Sequence, residues 1–303
     1  MVTAPSRPGP TPTSAVVVVG SVNADTSLHV PRIPGPGETV LALDSRSSAG
    51  GKGANQACAA ARAGVRSVLV GAVGTDAAGA MLVDQLSRRG VALDQLLRLP
   101  DVESGGATVL VDEAGENCIV VTGGANAALT PEQVTAGLDA AAEVGLVLTQ
   151  GELDVACVGA AAAWAAAAGV RFVHNLAPYR AVTPQLLELC DPLVVNQHEA
   201  ADLAAALGPS PDGTDALLAL LTEHCRSVVV TLGGDGAVYA SPAGSGRREA
   251  PKVDVVDTTG AGDAFVGAAA AALLTDGDLG RACAAGVAAG AAAVQHRGAQ
   301  PEL

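Results

Sequence analysis

Strand-like apolar runs alternate with helical stretches along most of this chain, and this alternation restricts the possible fold more than any other feature. The first run, residues 16–19, consists only of β-branched valines, which is typical of a strand buried on both faces of a parallel sheet. Further strand-like runs occur at residues 66–73, 145–150, 170–174, 192–195 and 226–232. With helical stretches between them, these runs predict an α/β fold with a doubly wound, mostly parallel sheet.

Two segments interrupt the alternation and predict a small β-sheet lid. In residues 31–49, three prolines precede the alternating apolar run at 39–43, so we expect a loop followed by a strand. Residues 105–124 have the pattern of a hairpin with its turn near 113–117. We expect lid strands from about 37–49 and 105–124, and such a lid either covers a site or pairs with a second copy of the chain.

Length and charge narrow the class of protein. A chain of 303 residues with 49% hydrophobic content is large enough to bury one substantial core. The formal net charge is −14 and the basic residues form no large cluster, which argues against nucleic acid or an anionic membrane surface as partner. The longest uncharged run, residues 155–170, is shorter than a membrane span requires, so we interpret it as a buried or half-buried helix.

The spacing of the cysteines indicates the cellular compartment, and the composition of the first residues indicates where the folded domain begins. The six cysteines are widely spaced without a Cys-x-x-Cys pair, which predicts free thiols in a reducing cytoplasm. Residues 1–14 are rich in Pro, Ser and Thr and contain no apolar segment, so they predict a disordered tail rather than a signal peptide. The expected domain therefore covers residues 15–303.

A glycine-rich turn joins the apolar run at 253–256 to an Ala-rich helix. The Gly260-Ala261-Gly262 turn predicts unpaired backbone N–H groups at a helix start, where the helix dipole favours a phosphate. Asp263 follows at the mouth of that helix, as a base for an attacking hydroxyl would. An Asp there is alternatively a plain helix cap, but two glycines allow closer backbone approach than a cap requires. The pattern favours a phosphoryl-transfer site.

A second glycine-rich helix start surrounds Lys52. The Gly50-Gly51-Lys52-Gly53 run opens a predicted helix that ends near Arg62. It is not a Walker A loop, because its glycine spacing differs and Gly53 occupies the place of the Mg²⁺-binding Ser or Thr. A loop with a solvated lysine is the alternative, and three glycines around that lysine make it the weaker interpretation.

Polar residues follow several of the predicted strands. Asn23 and Asp25, after the first strand, are either sugar-binding groups or turn formers. No Gly-x-Gly-x-x-Gly follows that strand, which argues against a dinucleotide-binding dehydrogenase. Because the carboxyl ends of parallel strands share one edge, we expect a common crevice there, with further members at Gln150 to Glu152, Asn175, Asn196 to Glu199 and Thr231 to Gly236. Asn196 and Glu199 fit either a water-mediated Mg²⁺ site or a capping box.

Three of these motifs together resemble the signatures of the ribokinase-like carbohydrate kinases. Residues 257–263 are similar to the C-terminal signature of that family, residues 50–56 to its N-terminal one, and residues 196–199 to its Asn-x-x-Glu motif. The resemblance runs from Val16 almost to the end of the chain. Asn23-Ala24-Asp25 with Gly-Lys-Gly-Ala-Asn is most similar to the members that phosphorylate ribose, rather than to fructokinases or adenosine kinases.

The resemblance implies an ATP-dependent kinase that phosphorylates D-ribose at O5. Another pentose, deoxyribose or a nucleoside is an alternative substrate, and a non-catalytic sugar-binding regulator of the same fold is an alternative function. By resemblance, Asp263 is the base, and Gly260, Ala261 and Gly262 form the anion hole. The implied sugar-binding residues are Asn23, Ala24, Asp25, Gly51, Lys52, Gly53, Ala54, Asn55, Glu152 and Asp263. The implied ATP-binding residues are Asn196, Thr231, Leu232, Gly233, Gly234, Asp235, Gly236, Gly262, Asp263 and Val287.

The family also implies two cations and a homodimer. Glu199 would hold Mg²⁺ through water. A potassium site would use Asp257, Thr259, Ala293, His296, Gly298 and Glu302. Two positions depart from the family pattern, because Glu302 stands where a small hydroxyl residue is common and Val287 stands where a polar residue is common near the adenine. The lid strands would form the dimer contact.

Overall fold

The computed structural model describes residues 14–208, 211 and 213–300, and the structural statements below concern those residues. The expected tail, residues 1–14, lies outside them except for its last residue. The strands are β1 (Ala15–Val19), β2 (Asn23–Val30), β3 (Asp44–Gly50), β4 (Arg66–Gly74), β5 (Val91–Ala92), β6 (Leu96–Leu99), β7 (Gly105–Asp112), β8 (Asn117–Thr122), β9 (Val144–Gln150), β10 (Arg171–Asn175), β11 (Cys190–Asn196), β12 (Val228–Thr231), β13 (Ala237–Ser241) and β14 (Gly244–Arg248).

Helices connect most of these strands. They are α1 (Lys52–Arg62), α2 (Ala77–Arg88), α3 (Gly124–Ala128), α4 (Pro131–Ala140), α5 (Val155–Ala168), α6 (Pro184–Leu189), α7 (Gln197–Leu207), α8 (Thr214–His224), α9 (Ala261–Asp276) and α10 (Leu279–Ala293), with a short 3₁₀ turn at Gly233–Asp235. At the start of α4, the Thr130 and Gln133 side chains form a reciprocal capping box, as the sequence Thr-Pro-Glu-Gln favours. None of the helices in the described part of the chain is long and apolar enough to cross a membrane.

The main sheet has the strand order β14-β13-β12-β11-β10-β9-β1-β4-β5, and β6 also pairs with β4. The strands from β12 to β5 in this order are parallel, while β13 and β14 add an antiparallel edge. The predicted mostly parallel, doubly wound sheet is therefore confirmed. Because β1 pairs with β4 on one side and β9 on the other, the chain switches direction of winding there, and a crevice opens at the carboxyl ends of these strands.

Helices cover both faces of the main sheet. Val17 and Val19 of β1 pack with α3 to α8 in one core cluster, whereas Val16 and Val18 pack with α1, α2, α9 and α10 in the other. This alternation follows from the two-residue repeat of a strand, and it explains why β1 contains apolar residues alone. One face of the sheet thus carries both glycine-rich helix starts, which belong to α1 and α9.

The lid is a separate four-stranded sheet with the order β3-β2-β7-β8. The predicted hairpin is present as β7 and β8, paired antiparallel. The prediction for 39–43 was wrong, because the strand is β3 at Asp44–Gly50, and Leu41 and Leu43 of the alternating run are exposed. A strand at Asn23–Val30 was not predicted, since its polar composition resembles a turn and only its pairing with β3 and β7 makes it a strand.

Candidate active site

The start of α9 lies at the carboxyl edge of the main sheet and requires glycine. Gly260 has φ +76°, and a Cβ at that position would lie 2.6 Å from the Ala299 Cα. The helix begins at Ala261 without a side-chain cap bond, so no side chain competes for the first N–H groups of α9. Gly262 lines two neighbouring cavities, and a Cβ on it would meet no atom within 4 Å, which leaves the helix end open to a ligand.

The Asp263 carboxylate is buried and held by two amide groups. Asn55 Nδ2 donates to Asp263 Oδ2 over 2.9 Å, and Gln56 Nε2 donates to Asp263 Oδ1 over 2.9 Å. Burial raises the pKa of Asp263, while the Lys52 charge and the two amide hydrogen bonds act to lower that pKa. The result is a carboxylate with fixed orientation at the mouth of a helix, as a general base requires.

The start of α1 packs tightly against the segment that follows β1. Gly51 has φ +85°, and a Cβ there would lie 2.9 Å from the Ser21 carbonyl oxygen. Glu152 Oε2 accepts the Lys52 backbone N–H over 2.9 Å and the Ser21 hydroxyl over 2.5 Å, so a carboxylate from beyond β9 caps α1. A Cβ on Gly53 would lie 2.5 Å from the Gly20 carbonyl carbon, and Ala54 is fully buried in the core.

Asp25 lies at the beginning of the lid sheet beside this helix start. Its Oδ1 atom is buried without a hydrogen-bond partner, and its Oδ2 atom would be 1.9 Å from a Cβ on Gly50. Burial and the nearby Glu152 charge raise the pKa of Asp25 to about 6. A buried carboxylate oxygen with no partner needs a ligand to satisfy it, and a sugar hydroxyl has the donor it lacks.

Asn23 is oriented by Asn126, a residue that was not predicted from the sequence. Asn126 Nδ2 donates to Asn23 Oδ1 over 2.8 Å, and Asn126 also pairs with the backbone N–H and carbonyl of Val22. Ala24 pairs with Ala49 and Gly106 in the lid sheet. The sequence feature that could have identified Asn126 is the Gly-Gly-Ala-Asn run that ends at this residue, close to the end of the predicted hairpin.

Two cavities meet at the start of α9. The smaller one, of about 140 Å³, is lined by Lys52, Asn175, Ala177, Val194, Val195, Asn196, Glu199, Thr231, Gly260, Gly262, Asp263 and Val266. The larger one, of about 520 Å³, is lined by Thr231, Gly233, Gly234, Gly236, Ala250, Pro251, Lys252, Val253, Val255, Thr258, Ala261, Gly262, Phe265, Val287, Gly290, Ala291 and Val294. Because both cavities share Thr231 and Gly262, they form adjoining spaces on either side of the α9 N-terminus.

Most residues predicted to bind the nucleotide line the larger cavity. Thr231, three glycines of the loop after β12, and Val287 are among them. Leu232 and Asp235 are not in its lining, and the Leu232 side chain packs against the core instead. The cavity is lined mostly by apolar and small residues, and its volume suits a small-molecule ligand.

Asn196 and Glu199 form the capping box of α7. Asn196 Oδ1 accepts the Glu199 N–H over 2.9 Å, and Glu199 Oε2 accepts the Asn196 N–H over 2.8 Å. The spacing left open a capping box or a water-mediated Mg²⁺ site, and the capping box is present. Both residues also line the smaller cavity with Lys52 and Asp263, and burial raises the pKa of Glu199.

The segments predicted to hold a monovalent cation come together beside α9. Asp257 Oδ1 accepts the Thr259 N–H and Asp257 Oδ2 accepts the Gly298 N–H, both over 2.9 Å. Burial acts to raise the pKa of Asp257, but the Thr259 side chain, the two backbone N–H groups and the Arg297 charge together outweigh burial and lower that pKa. His296 N–H donates to the Ala293 carbonyl over 3.1 Å. Glu302 lies outside the described residues.

Three further polar residues of the site were missed as functional candidates or placed differently. Ser21 lies two residues after the end of β1, and Gln56 ends the glycine-rich motif at residues 50–56. Neither residue was named as a functional candidate. Gln150 was expected in the crevice but is almost fully buried, one layer beneath Asp263. Among the described residues, no group of three or more His, Cys, Asp or Glu side chains has the arrangement of a metal site.

Comparisons with known proteins agree with this fold and site. Residues 13–303 match the pfkB family carbohydrate kinases. The ribokinase of Staphylococcus aureus (strain COL) is 34% identical over 294 residues, and the match covers 96% of this chain and 97% of that protein. A bifunctional ribokinase/ribose-5-phosphate isomerase A of Fructilactobacillus sanfranciscensis is 37% identical over 267 residues, covering 86% of this chain and 49% of that protein, so this chain spans about half its length.

A solved structure extends the similarity to the fold. Arabidopsis thaliana ribokinase, complexed with ribose and ATP, is 30% identical to this chain with a TM-score of 0.86, and the match covers 97% of this chain and 95% of that one. On sequence and on fold alike, this chain belongs to the pfkB family of carbohydrate kinases.

Proposed function

We propose that this protein is an ATP-dependent ribokinase that phosphorylates D-ribose at O5. The observation that carries the proposal is the Asp263 carboxylate, which is buried, held by two amides and lines the smaller of two cavities that adjoin at a helix N-terminus. Relatives named ribokinase, one of them solved with ribose and ATP, support the same substrates.

The residues on the two sides of Asp263 suit the two substrates. On the side of the lid, Asn23, Asp25, Asn55 and the Lys52 ammonium offer donors and acceptors for sugar hydroxyls. On the other side, the apolar cavity suits the adenine and ribose of ATP, so the phosphates would extend towards Gly262. With the substrates arranged in this way, the γ-phosphate would lie beside the first turn of α9.

The reaction follows from this placement. Asp263 accepts the proton of the 5-hydroxyl as the hydroxyl oxygen attacks the γ-phosphorus. The bond from that phosphorus to the β,γ-bridging oxygen breaks, so ADP carries away the electron pair. The N–H groups at the start of α9 and the Lys52 ammonium stabilise the negative charge of the transferred group.

The residues also suit the two cations expected from the family. Glu199 is a carboxylate that lines the smaller cavity, which fits a hydrated Mg²⁺ on the nucleotide. Asp257 has one N–H bond on each oxygen and a lowered pKa, so it remains an anionic ligand for a potassium ion with Thr259, Ala293, His296 and Gly298. When bound, Mg²⁺ would neutralise phosphate charge and potassium would hold the loop before α9 in place. The cytoplasmic location stays a prediction.

We further propose that the protein is a homodimer joined through the lid. Ile119, Val120 and Val121 of β8 are all more than half exposed, as are Leu41 and Leu43 before β3. Because neighbouring residues of a strand point to opposite faces, β8 exposes apolar side chains on both of its faces. A second copy of the lid sheet would cover one of them.

The experiment that tests this function is ADP release with D-ribose, ATP and Mg²⁺, in potassium or in a bulky inert cation, for wild type and Asp263→Asn. We expect turnover that rises with potassium and falls by at least about 10³-fold in the variant. Turnover of adenosine or another pentose faster than ribose would overturn the ribose assignment. Absence of turnover with every acceptor would favour a sugar-binding regulator.

A further inference from the structure

We infer that Gln56 is a positioning residue that holds the Asp263 carboxylate in its working orientation, through a buried chain of amides anchored on the main-sheet backbone. This inference rests on the proposed function only in naming Asp263 as the base. Gln56 itself has no exposed surface and does not line either cavity, so it has no contact with a substrate there.

The amide chain begins at an atom that can only accept a hydrogen bond. The Val194 backbone carbonyl can only accept, so Asn175 must present Nδ2 to it, over 3.1 Å. Asn175 Oδ1 therefore faces Gln56 and accepts from Gln56 Nε2 over 2.9 Å. The backbone of β11 thus determines which way the Asn175 amide points.

The same logic fixes the amide of Gln56. Its Nε2 atom uses one hydrogen on Asn175 Oδ1 and the other on Asp263 Oδ1, while its Oε1 atom accepts from Gln150 Nε2 over 2.9 Å. A flipped Gln56 amide would place oxygen against two acceptors and nitrogen against a donor. All three hydrogen bonds would be lost at once, around a side chain with no exposed surface where water could replace them.

Gln56 therefore restrains the Asp263 carboxylate at the oxygen that Asn55 does not hold. Asn55 holds Oδ2 and Gln56 holds Oδ1, so the carboxylate plane is fixed at both oxygens. The charged groups that act on Asp263 are Lys52, which favours the carboxylate, and Glu152, which opposes it. Gln56 is neutral at every working pH, so it supports the charged base without competing for its proton.

The test uses Gln56→Met, which keeps an unbranched buried side chain and removes the donor. We expect kcat to fall about 10-fold to 100-fold, with ribose affinity by calorimetry nearly unchanged. Carbon-13 NMR titration of the Asp263 carboxyl, assigned by its loss in Asp263→Asn, should show a raised pKa, and the acid limb of the kcat profile should move the same way. The loss of kcat should persist at the alkaline plateau, because orientation is lost as well as charge.

A matched control removes a buried hydrogen bond from the same helix without touching Asp263. Ser67 Oγ donates to the Ala57 carbonyl over 2.8 Å, one residue after Gln56. Ser67→Ala should lower the unfolding temperature and leave the Asp263 pKa and the kcat profile at their wild-type values. A folded Gln56→Met protein with a wild-type Asp263 pKa and with kcat within about 2-fold of wild type would overturn the inference.

A second variant covers the case in which Gln56→Met does not fold. Gln150→Met removes only the donor to Gln56 Oε1, because Gln150 Oε1 has no partner. The freed Gln56 amide should give smaller changes in the same directions, and no change in either quantity would overturn the inference. The NMR titration needs no sugar, so a raised Asp263 pKa without ribose turnover would overturn the ribose assignment alone.

Discussion

Asp263 is buried and Asp25 is half-buried, and the two carboxylates differ in which hydrogen bonds satisfy them. Asp263 has an amide donor on each oxygen, whereas Asp25 keeps one buried oxygen without a partner and lies near the Glu152 charge. Both Asp263 oxygens are therefore satisfied by hydrogen bonds within the fold, whereas the Asp25 Oδ1 atom is not. A group that awaits a ligand in this way lowers the stability of the free protein.

Replacing Asp25 should relieve this loss of stability in the free protein. The folded pKa of Asp25 is about 6 against an ordinary value of 3.8, so the folded state holds its proton more tightly than the unfolded state. As pH rises between these values the folded state loses stability, and the penalty is complete above pH 6. Asp25→Asn should raise the unfolding temperature by about 2–5 °C at pH 8, lose that advantage near pH 4, and weaken ribose binding about 10-fold or more.

An exposed aspartate of the same sheet provides the control for that prediction. Asp44 of β3 forms an exposed ion pair with Arg46, which lowers its pKa. Asp44→Asn should leave the unfolding temperature at pH 8 almost unchanged and ribose binding intact, because exposed ion pairs contribute little. A lower unfolding temperature of Asp25→Asn than of wild type at pH 8 would contradict the account of Asp25.

Among the secondary-structure elements, the site depends on how closely α1 and α9 approach. A Cβ on Gly267 would lie 2.5 Å from the Gln56 carbonyl oxygen and 2.5 Å from the Ala59 Cβ, so the helices touch where α9 lacks a side chain. Asp263 lies one turn before Gly267 on the same helix. The distance between Asp263 and its two amide donors is thus set by close packing of α9 against α1.

Gly267→Ala should therefore disturb both stability and activity. The added methyl forces the helices apart, which costs about 1–3 kcal/mol of unfolding free energy, and kcat should fall more than ribose affinity. Gly159→Ala is the matched control, because Gly159 lies within α5 with no atom within 4 Å of its Cβ position and should gain about 0.5–1 kcal/mol. Denaturant unfolding and steady-state kinetics of both variants test this, and wild-type kcat in Gly267→Ala would contradict it.

Individual elements also differ in how well their sequences predict them. The valine run of β1 and the Thr130 capping box needed only local pattern, and both are present in the structure. β2 was missed, because its first five residues are polar or small and its strand conformation comes from pairing with β3 and β7. Asn126 was missed and Gln150 was misplaced for the same reason, because the hydrogen-bond partner of each lies about 100 residues away in the chain.

In the molecule as a whole, the lid joins the proposed sugar site to the surface proposed for dimer contact. β2 carries Asn23 and Asp25 and lies in the same sheet as the exposed β8, with β7 between them. A partner on β8 would therefore restrain the strand that carries sugar-binding groups. In the proposed dimer, this arrangement would couple assembly to substrate binding through the backbone hydrogen bonds of the lid sheet.

Val120→Asp should convert the dimer to a monomer and weaken ribose binding. A charge on an apolar contact is desolvated without a partner, so the interface is lost while the lid strand itself stays exposed and paired. Val155→Asp is the control, because Val155 is also exposed but starts α5, where a carboxylate is favourable. Sedimentation velocity at micromolar concentration distinguishes the two, and a monomeric wild type would refute the proposed homodimer.

The layered α/β architecture and the two glycine-rich helix starts can be predicted from the amino-acid sequence alone. Those features depend on local chemistry, namely the two-residue repeat of buried strands, the N–H groups of a helix end and the freedom of glycine at positive φ. Three others required the folded chain: β2 is a lid strand, Glu152 caps α1, and Gln56 and Asn55 hold Asp263. Each of these joins residues distant in the chain, and such contacts depend on the strand order and the approach of the helices, which no local pattern specifies.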